Sequence, residues 1–336
     1  MRRMPSDLAS LIAMHRFCRP AGSPTERAFI TRYLVPLGAT IDVHRNYHVQ
    51  IGADTSVIWS SHTDTVHKRA GRQRVTLLAD GRIRSDSRAG CLGADDTAGV
   101  WLMSEMIRAN VPGHYIFHYG EEKGCIGSSD LAAMSPEILQ GARIAVAFDR
   151  RGTTDVITHQ CGSRTASDDF ARGLSSLLNQ CAPLAYAPDD SGLFTDTEQY
   201  AHLIPECTNV AIGYAGAHGD TETLETNHLR RLRDVLCTHG ADVFGLDSPR
   251  DPAEVDTLWA GYSWADFEDD MSLPVASLSD RYALHFHCRD CSVAWVIPDT
   301  KYPDDIDYCP RCYADTEPER IVSLHHAYSD EDEDSY

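Results

Sequence analysis

The order of apolar and polar positions predicts a chain that alternates between strands and helices over its first 245 residues. Residues 6–17 carry apolar side chains at helical spacing and predict an amphipathic helix. The run Ser23-Pro24-Thr25-Glu26 is typical of a helix start, with a capping serine, a first-turn proline and a glutamate three positions after the serine. This second helix is expected to end near Leu37. Short apolar runs then predict strands at 39–43, 47–52 and 56–61.

The same pattern continues beyond a predicted hairpin turn at Asp80-Gly81. A helix is expected to begin after Gly93, and a closing helix is expected from Glu222 to about residue 245. A helix is also expected at 165–181, and strands at 114–119, 142–148, 154–159 and 207–213. Alternating elements of these lengths predict an α/β fold, with a mixed β-sheet between layers of helices.

Charge and composition narrow the classes of function. A length of 336 residues favours more than one domain, and a net charge of −20 disfavours binding to nucleic acid or to anionic membranes. Asp7 interrupts the N-terminal apolar stretch, which predicts a helix rather than a signal peptide, and no run reaches the roughly 18 apolar residues of a membrane span. Seven cysteines are scattered singly, which favours a reducing, cytoplasmic compartment.

Metal-binding residue types follow several of the predicted strands. Taken alone, each has an ordinary interpretation. Asp95 or Asp96 could be no more than a helix cap, and Glu121 and Glu122 could be solvated side chains in a turn. Together they supply the histidine and carboxylate ligands that zinc prefers. The five candidates are His62, Asp95, Glu122, Asp149 and His218.

Five segments in order resemble the signature of the co-catalytic zinc exopeptidases, a superfamily of aminopeptidases, carboxypeptidases and deacylases. They are HTDTV, GADDTAGV, GEEKGCIGS, FDR and AHGDTE, and the resemblance covers about residues 5–245. It implies that His62, Asp95 and Asp149 hold one zinc ion, while Asp95, Glu122 and His218 hold a second. It also implies that Asp64 orients His62, that Glu121 is the general base, and that the Asp95–Asp96 peptide bond is cis.

The span between the last two ligands favours a compact enzyme. Asp149 and His218 are 69 positions apart, which leaves no room for the lid domain that many carboxypeptidase-like relatives insert there. The segment Ser191–Asp196 resembles the loop that borders the pocket in relatives. Tyr186 or Tyr214 could donate to an oxyanion, or could simply be packed tyrosines.

Four cysteines near the C-terminus predict a separate structural zinc site. Two C-x2-C pairs separated by 17 residues have zinc-ribbon spacing and would close a tetrahedral site; they are Cys288, Cys291, Cys309 and Cys312. Residues 285–315 contain six aspartates against three basic residues, so this module favours docking to a protein over binding nucleic acid. The predicted organisation is a hydrolase domain (1–246), an acidic linker (247–283), the ribbon (284–316) and an acidic disordered tail (317–336).

The sequence thus predicts a hydrolase with two co-catalytic zinc ions and one structural zinc ion. An aminopeptidase acting on peptides is the leading interpretation, and an amidohydrolase that deacylates a small molecule or a modified macromolecule is the alternative. A zinc-binding scaffold without catalysis and a nucleic-acid adaptor built on the ribbon are further alternatives. The sequence leaves the oligomeric state open.

Overall fold

The computed structural model describes residues 6–86, 90–181 and 183–253, and five short strands between 282 and 323. The chain divides into two compact units, Met1–Ala260 and Gly261–Tyr336. No helix in the described ranges is long and apolar enough to cross a membrane.

The first unit carries the α-helices and most of the strands. Its helices are α1 (Ser6–Met14), α2 (Pro24–Tyr33), α3 (Ala94–Arg108), α4 (Ile126–Met134), α5 (Asp168–Leu178) and α6 (Thr226–His239). Its first eight strands are β1 (Phe17–Cys18), β2 (Thr40–Ile41), β3 (Tyr47–Ile51), β4 (Val57–His62), β5 (Gly71–Arg72), β6 (Val75–Leu77), β7 (Arg82–Ser85) and β8 (Gly113–His118). The next eight are β9 (Ile144–Arg150), β10 (Asp155–Ile157), β11 (His159–Gln160), β12 (Ser163–Arg164), β13 (Ala187–Asp189), β14 (Glu206–Ala211), β15 (Tyr214–Ala215) and β16 (Thr223–Glu225).

An eight-stranded mixed sheet forms the centre of this unit, in the order β13-β10-β14-β9-β4-β8-β3-β2. The four strands β14, β9, β4 and β8 are parallel, whereas β3 and β10 pair antiparallel with their inner neighbours. Every residue of β4 is buried, as expected for a parallel strand covered on both faces. The predicted mixed α/β fold is confirmed.

Helices cover the sheet because the connections between parallel strands cross its faces. Helix α3 contacts β4 and β9 and packs on α6. Helix α4 lies against a 3-10 helix at Asp196–Tyr200. Apolar side chains fill the layer that these two helices share with the sheet, among them Ile58, Ile116, Leu131 and Tyr200.

Residues between the last two candidate ligands belong to this unit. Residues 150–217, apart from 182, contribute β10 to β15, helix α5 and the 3-10 helix, and three of those strands lie in the central sheet. The described part of this span therefore completes the sheet rather than forming a lid.

At the starts of two helices, tertiary contacts change the structure that the local sequence predicts. Ser23 caps α2, accepting the Glu26 N–H at 3.1 Å, as predicted. Glu26 does not bond back to the N–H of Ser23; its carboxylate accepts the Gly22 N–H at 2.6 Å and the Thr63 hydroxyl at 2.6 Å. The prediction that the last helix begins at Glu222 is wrong, because residues 223–225 pair with β7 as strand β16 and α6 begins only at Thr226.

The second unit contains five strands among its described residues: β17 (Tyr282–His287), β18 (Ala294–Thr300), β19 (Asp307–Tyr308), β20 (Asp315–Thr316) and β21 (Arg320–Ser323). An antiparallel sheet has the order β18-β17-β21, and β19 pairs with β20. The strand β21 falls within the range for which the sequence predicted an acidic tail. Cys288, Cys291, Cys309 and Cys312 lie outside the described residues, so the zinc ribbon stays a prediction.

Candidate metal centre

The candidate ligands collect at the edge where the parallel strands of the central sheet end. His62 is the last residue of β4, and Asp149 is the penultimate residue of β9. Glu121 and Glu122 follow β8 in a 3-10 helix at Glu121–Lys123, and Asp95 lies in the first turn of α3. The carboxyl ends of parallel strands are where α/β sheets present ligand-binding groups, and this sheet follows that rule.

A first group combines His62, Asp95 and Asp149, with one donor atom from each lying within 4.8 Å of the others. Nε2 of His62 is 3.0 Å from Oδ1 of Asp95 and 3.6 Å from Oδ1 of Asp149. The His62 side chain is fully buried. Three donors on three separate elements therefore face one small volume.

A second group combines Asp95, Glu122 and His218 within the same distance limit. Nε2 of His218 is 3.2 Å from Oδ2 of Asp95 and 3.3 Å from Oε2 of Glu122. The His218 side chain is 54% exposed, whereas that of Asp95 is 12% exposed, so the centre opens to solvent beside His218. Asp95 belongs to both groups and turns a different oxygen to each histidine.

Asp64 and Glu121 lie beside the first group. Oδ1 of Asp64 is 3.4 Å from Nδ1 of His62, the ring atom opposite the one that faces Asp95. The same oxygen accepts the backbone N–H of Glu121 at 3.2 Å. Oε2 of Glu121 is 3.9 Å from Nε2 of His62, so this carboxylate lies at the rim of the cluster. Asp64 thus bonds to the segment that carries Glu121 and lies beside the ring of His62.

The start of α3 is fixed by the residue after Asp95. Asp96 accepts the His62 backbone N–H at 3.1 Å and the Gly99 N–H at 2.9 Å. The first bond joins the end of β4 to the helix, and the second caps a turn of that helix. The Asp95–Asp96 peptide bond is cis, as the resemblance implied. The Asp96 side chain therefore stabilises the fold, whereas the Asp95 side chain faces the other candidate ligands.

Close approach explains two glycines of the motifs. A Cβ atom on Gly99 would lie 2.3 Å from the carbonyl oxygen of Phe148, the residue before Asp149. A Cβ atom on Gly127 would lie 2.1 Å from Oδ1 of Asn46 and 2.9 Å from the backbone of Tyr119. Both positions need glycine because ligand-bearing segments pass directly over them.

Two further side chains contact the candidate ligands. Thr195 donates to Oδ2 of Asp149 at 3.0 Å, and the hydroxyl of Tyr214 donates to the Asp149 carbonyl at 3.2 Å. Tyr214 is buried against two ligand carboxylates, since its hydroxyl also lies 3.4 Å from Oδ2 of Asp95. Tyr186 instead donates to the Ala211 carbonyl at 2.7 Å and is part of the packed interior.

The sequence did not predict that Glu222 contacts the segment before Asp95. The buried carboxylate of Glu222 accepts four backbone N–H groups from residues 92–95, at 2.8 to 3.2 Å. The sequence placed this residue at a helix start, and its four donors lie 127 to 130 positions away, so no local pattern could identify the contact.

Burial and mutual repulsion shift the acidity of the cluster. Burial raises the pKa of Glu121 to about 9, and burial together with the charge of Asp95 raises the pKa of Asp149 to about 7. Burial opposes the charged form of His62, yet Asp149 and its neighbouring carboxylates hold the pKa of this ring well above its usual value. Hydrogen bonds to Asp95 and Glu122 raise the pKa of His218 to about 11. Carboxyl groups so close together need a compensating cation to remain ionised.

The donors present fit divalent metal ions. Two imidazoles and three carboxylates form two overlapping groups that share one residue, in the residue types that zinc prefers. Oε1 of Glu122 is buried without a hydrogen-bond partner among the described residues, which leaves it available to a cation. Two divalent ions would carry four positive charges, enough to offset the negative charge of the three carboxylates.

Solved structures with the same fold include peptidases. No family model matches the sequence, and no curated protein matches it either. The aminopeptidase PepT of Bacillus cereus ATCC 10987 is 15% identical, with a TM-score of 0.59 over 71% of this chain and 98% of that one. A tripeptidase of Staphylococcus aureus subsp. aureus Mu50 is 15% identical, with a TM-score of 0.54 over 70% and 97% of the two chains. The TET1 peptidase of Pyrococcus horikoshii is 14% identical, with a TM-score of 0.54 over 69% and 98%. About 70% of the chain has the fold of these peptidases.

Proposed function

We propose that this chain is a zinc-dependent hydrolase of peptide bonds, an exopeptidase of the aminopeptidase type within the co-catalytic zinc exopeptidase superfamily. The observation that carries the proposal is the pair of donor groups that share Asp95. In support, one oxygen of Asp95 lies 3.0 Å from Nε2 of His62 and the other lies 3.2 Å from Nε2 of His218. Solved peptidases with this fold, including an aminopeptidase and a tripeptidase, support the choice of reaction.

In this proposal the first zinc ion is held by His62, Asp95 and Asp149, and the second by Asp95, Glu122 and His218. When bound, such a pair supplies Lewis acidity toward a water molecule and the carbonyl of the scissile bond. The buried carboxylates of these residues would balance the positive charge of the ions. Identity and number of the ions are part of the proposal.

Glu121 is the proposed general base. Its carboxylate lies at the rim of the cluster, 3.9 Å from Nε2 of His62. It forms a third group of donors with His62 and Glu122, but it does not belong to the two groups that share Asp95. It accepts a proton from the attacking water at Oε2 and returns that proton to the leaving amine. Asp64 supports both steps, because it accepts the Glu121 N–H and faces Nδ1 of His62.

The remaining chain is proposed to serve the same enzyme. We keep the hydrolase domain at 1–246, the acidic linker at 247–283, a structural zinc ribbon at 284–316 and an acidic tail at 317–336. The ribbon would dock a protein partner rather than nucleic acid, given its excess of aspartate. A cytoplasmic location follows from the scattered single cysteines.

A substrate panel tests the proposed reaction. Zinc-loaded full-length protein is incubated with tripeptides that have a free amino terminus and with the same tripeptides N-acetylated, and the products are separated by chromatography. The proposal predicts release of the first residue from the free peptides, loss of this activity with a chelator, and recovery with zinc. Cleavage of the acyl group alone would make the protein a deacylase, and no cleavage of either series would contradict catalysis.

A further inference from the structure

The contact between Glu222 and the segment before Asp95 has the geometry of a built anion site. Oε2 accepts the N–H groups of Leu92 and Gly93 at 2.8 and 2.9 Å, and Oε1 accepts those of Ala94 and Asp95 at 2.8 and 3.2 Å. Glu222 is 2% exposed, so water does not compete for these bonds. All four donors are consecutive, and the last of them is the backbone of the residue shared by both donor groups.

The residue before α3 does not cap it, which leaves donors available, although Asp96 accepts the Gly99 N–H further along the helix. Its N-cap residue is Gly93, which has a φ of 71° and no side chain to accept a bond. The first N–H groups of a helix have no partner within the helix, and their dipoles favour an anion. The Glu222 carboxylate accepts two such donors, Ala94 and Asp95, and two from the preceding residues, Leu92 and Gly93, and so ties the start of the helix to a distant segment.

The same residue is tied to the loop of the second histidine. Glu222 follows His218 by four positions, and its own N–H donates to the Gly219 carbonyl at 3.2 Å, which closes a tight turn. Immediately after it, strand β16 pairs with β7, with Thr223 opposite Arg84. One end of the His218 loop is therefore anchored in a sheet, and Glu222 connects that end to the residue that carries the shared carboxylate.

We propose that Glu222 is a positioning residue of the metal centre: it holds the backbone of Asp95 and the loop of His218 at the separation that the second group requires. The inference rests on the proposed metal centre, but not on the identity of the substrate. It predicts that Glu222 acts on metal affinity as well as on folding, whereas a helix cap alone would act on folding only.

The Glu222→Gln variant removes the anion while keeping the size of the side chain. An amide has one oxygen, so its NH2 group would face two of the four N–H donors and repel them. Loss of a residue that orients ligands typically weakens metal binding by about 10- to 100-fold. We expect zinc to bind more weakly to the two donor groups that share Asp95. We also expect faster hydrogen exchange of the backbone amides of residues 92–95.

Glu206 offers a matched control. It is also buried, and its carboxylate accepts the N–H groups of Ser167 and Arg250 at 2.6 and 3.2 Å. It lies at the start of β14, opposite Ile144 of β9, and thus at the edge of the sheet away from the metal centre. Glu206→Gln should lower the melting temperature and leave the affinity of the cluster unchanged.

The experiment is a competitive zinc titration of the full-length protein and both variants against a chromophoric chelator, with thermal melting of each metal-stripped protein alongside. The zinc bound at the cluster is obtained as the difference between the zinc bound by the wild type and the zinc bound by a His62→Ala, His218→Ala variant. A weaker cluster in Glu222→Gln alone supports the positioning role. Wild-type affinity in Glu222→Gln, or equal weakening in Glu206→Gln, overturns it, as does a wild-type protein without cluster zinc. If the affinity falls as expected but no peptide is cleaved, Glu222 keeps its role and the proposed reaction fails.

Discussion

Nε2 of His218 lies 3.2 Å from Oδ2 of Asp95, although 123 positions of the chain separate the two residues. The other oxygen of that carboxylate lies 3.0 Å from Nε2 of His62. A carboxylate between two imidazoles is the arrangement expected of a ligand that bridges two metal ions. Our proposal for catalysis depends on this relationship.

The proposed general base, Glu121, can be tested without replacing any of the five proposed metal ligands. Glu121→Gln keeps the shape of the side chain but cannot accept the proton of the attacking water. We expect peptide hydrolysis to fall by about 10²- to 10⁴-fold, since this is the usual contribution of a positioned base. The rate of release of the first residue from a tripeptide measures the loss.

Glu137→Gln is a suitable control for this variant, because Glu137 is an exposed residue of a 3-10 helix at Pro136–Leu139. Zinc content is measured on both variants. Activity within threefold of the wild type in Glu121→Gln would rule out the proposed base, and full activity is expected in Glu137→Gln.

Packing against the helix that carries Asp95 gives a second prediction. A Cβ atom at position 99 would lie 2.3 Å from the Phe148 carbonyl and 2.4 Å from Oδ1 of Asp96. Gly99→Ala should therefore lower the free energy of unfolding by about 1–3 kcal/mol, as overpacking of a core commonly does. Urea denaturation of the metal-stripped protein measures the change.

Gly173 in α5 provides the matched substitution. A Cβ atom there would lie 3.1 Å from the flexible end of the Leu246 side chain, and alanine is favoured over glycine inside a helix by about 1 kcal/mol. Gly173→Ala should leave stability unchanged or raise it slightly. Equal destabilisation by both substitutions would show that helix geometry, rather than contact with the strand of Asp149, sets the cost.

Two buried histidines that are not candidate metal ligands predict a loss of stability in acid. Burial lowers the pKa of His15 to about 3, and the same cause lowers the pKa of His118 to about 3. Their unfolded-state pKa is about 6.5, so between these values the unfolded chain binds more protons than the folded one. The contribution of these two histidines to stability is therefore fully present above about pH 6.5 and is lost as the pH falls toward 3.

His15→Leu tests this prediction. Each buried neutral histidine contributes a slope of up to about 1.4 kcal/mol per pH unit within the window. The free energy of unfolding, measured in denaturant between pH 4.5 and 7 on metal-stripped protein, should fall less steeply with acid in the variant. An unchanged slope would show that His15 does not take up a proton on unfolding, whatever the overall stability of the variant.

The sequence predicted the parts of the structure that depend on local patterns. Apolar runs placed the strands of the sheet, Ser23 marked the start of α2, and the order of motifs placed candidate ligands at strand ends. Those features follow from periodicity and from the topology of parallel sheets, which hold without knowledge of distant contacts.

Contacts between distant segments were not predictable in the same way. Residues 223–225 precede a helical pattern, yet they form a strand because β7 offers a partner. Glu222 satisfies donors 127 to 130 positions away, and Thr195 supports Asp149 across 46 positions. Local propensity is a weak guide where tertiary hydrogen bonds compete with it.

The most direct test of the account is the zinc content of the full-length protein, measured by mass spectrometry after purification without chelator and re-equilibration with zinc. We expect about three zinc ions per chain, two in the cluster that shares Asp95 and one at the four cysteines. The His62→Ala, His218→Ala variant should retain about one. Equal zinc content in the wild type and this variant would contradict the metal centre, and with it the proposed reaction.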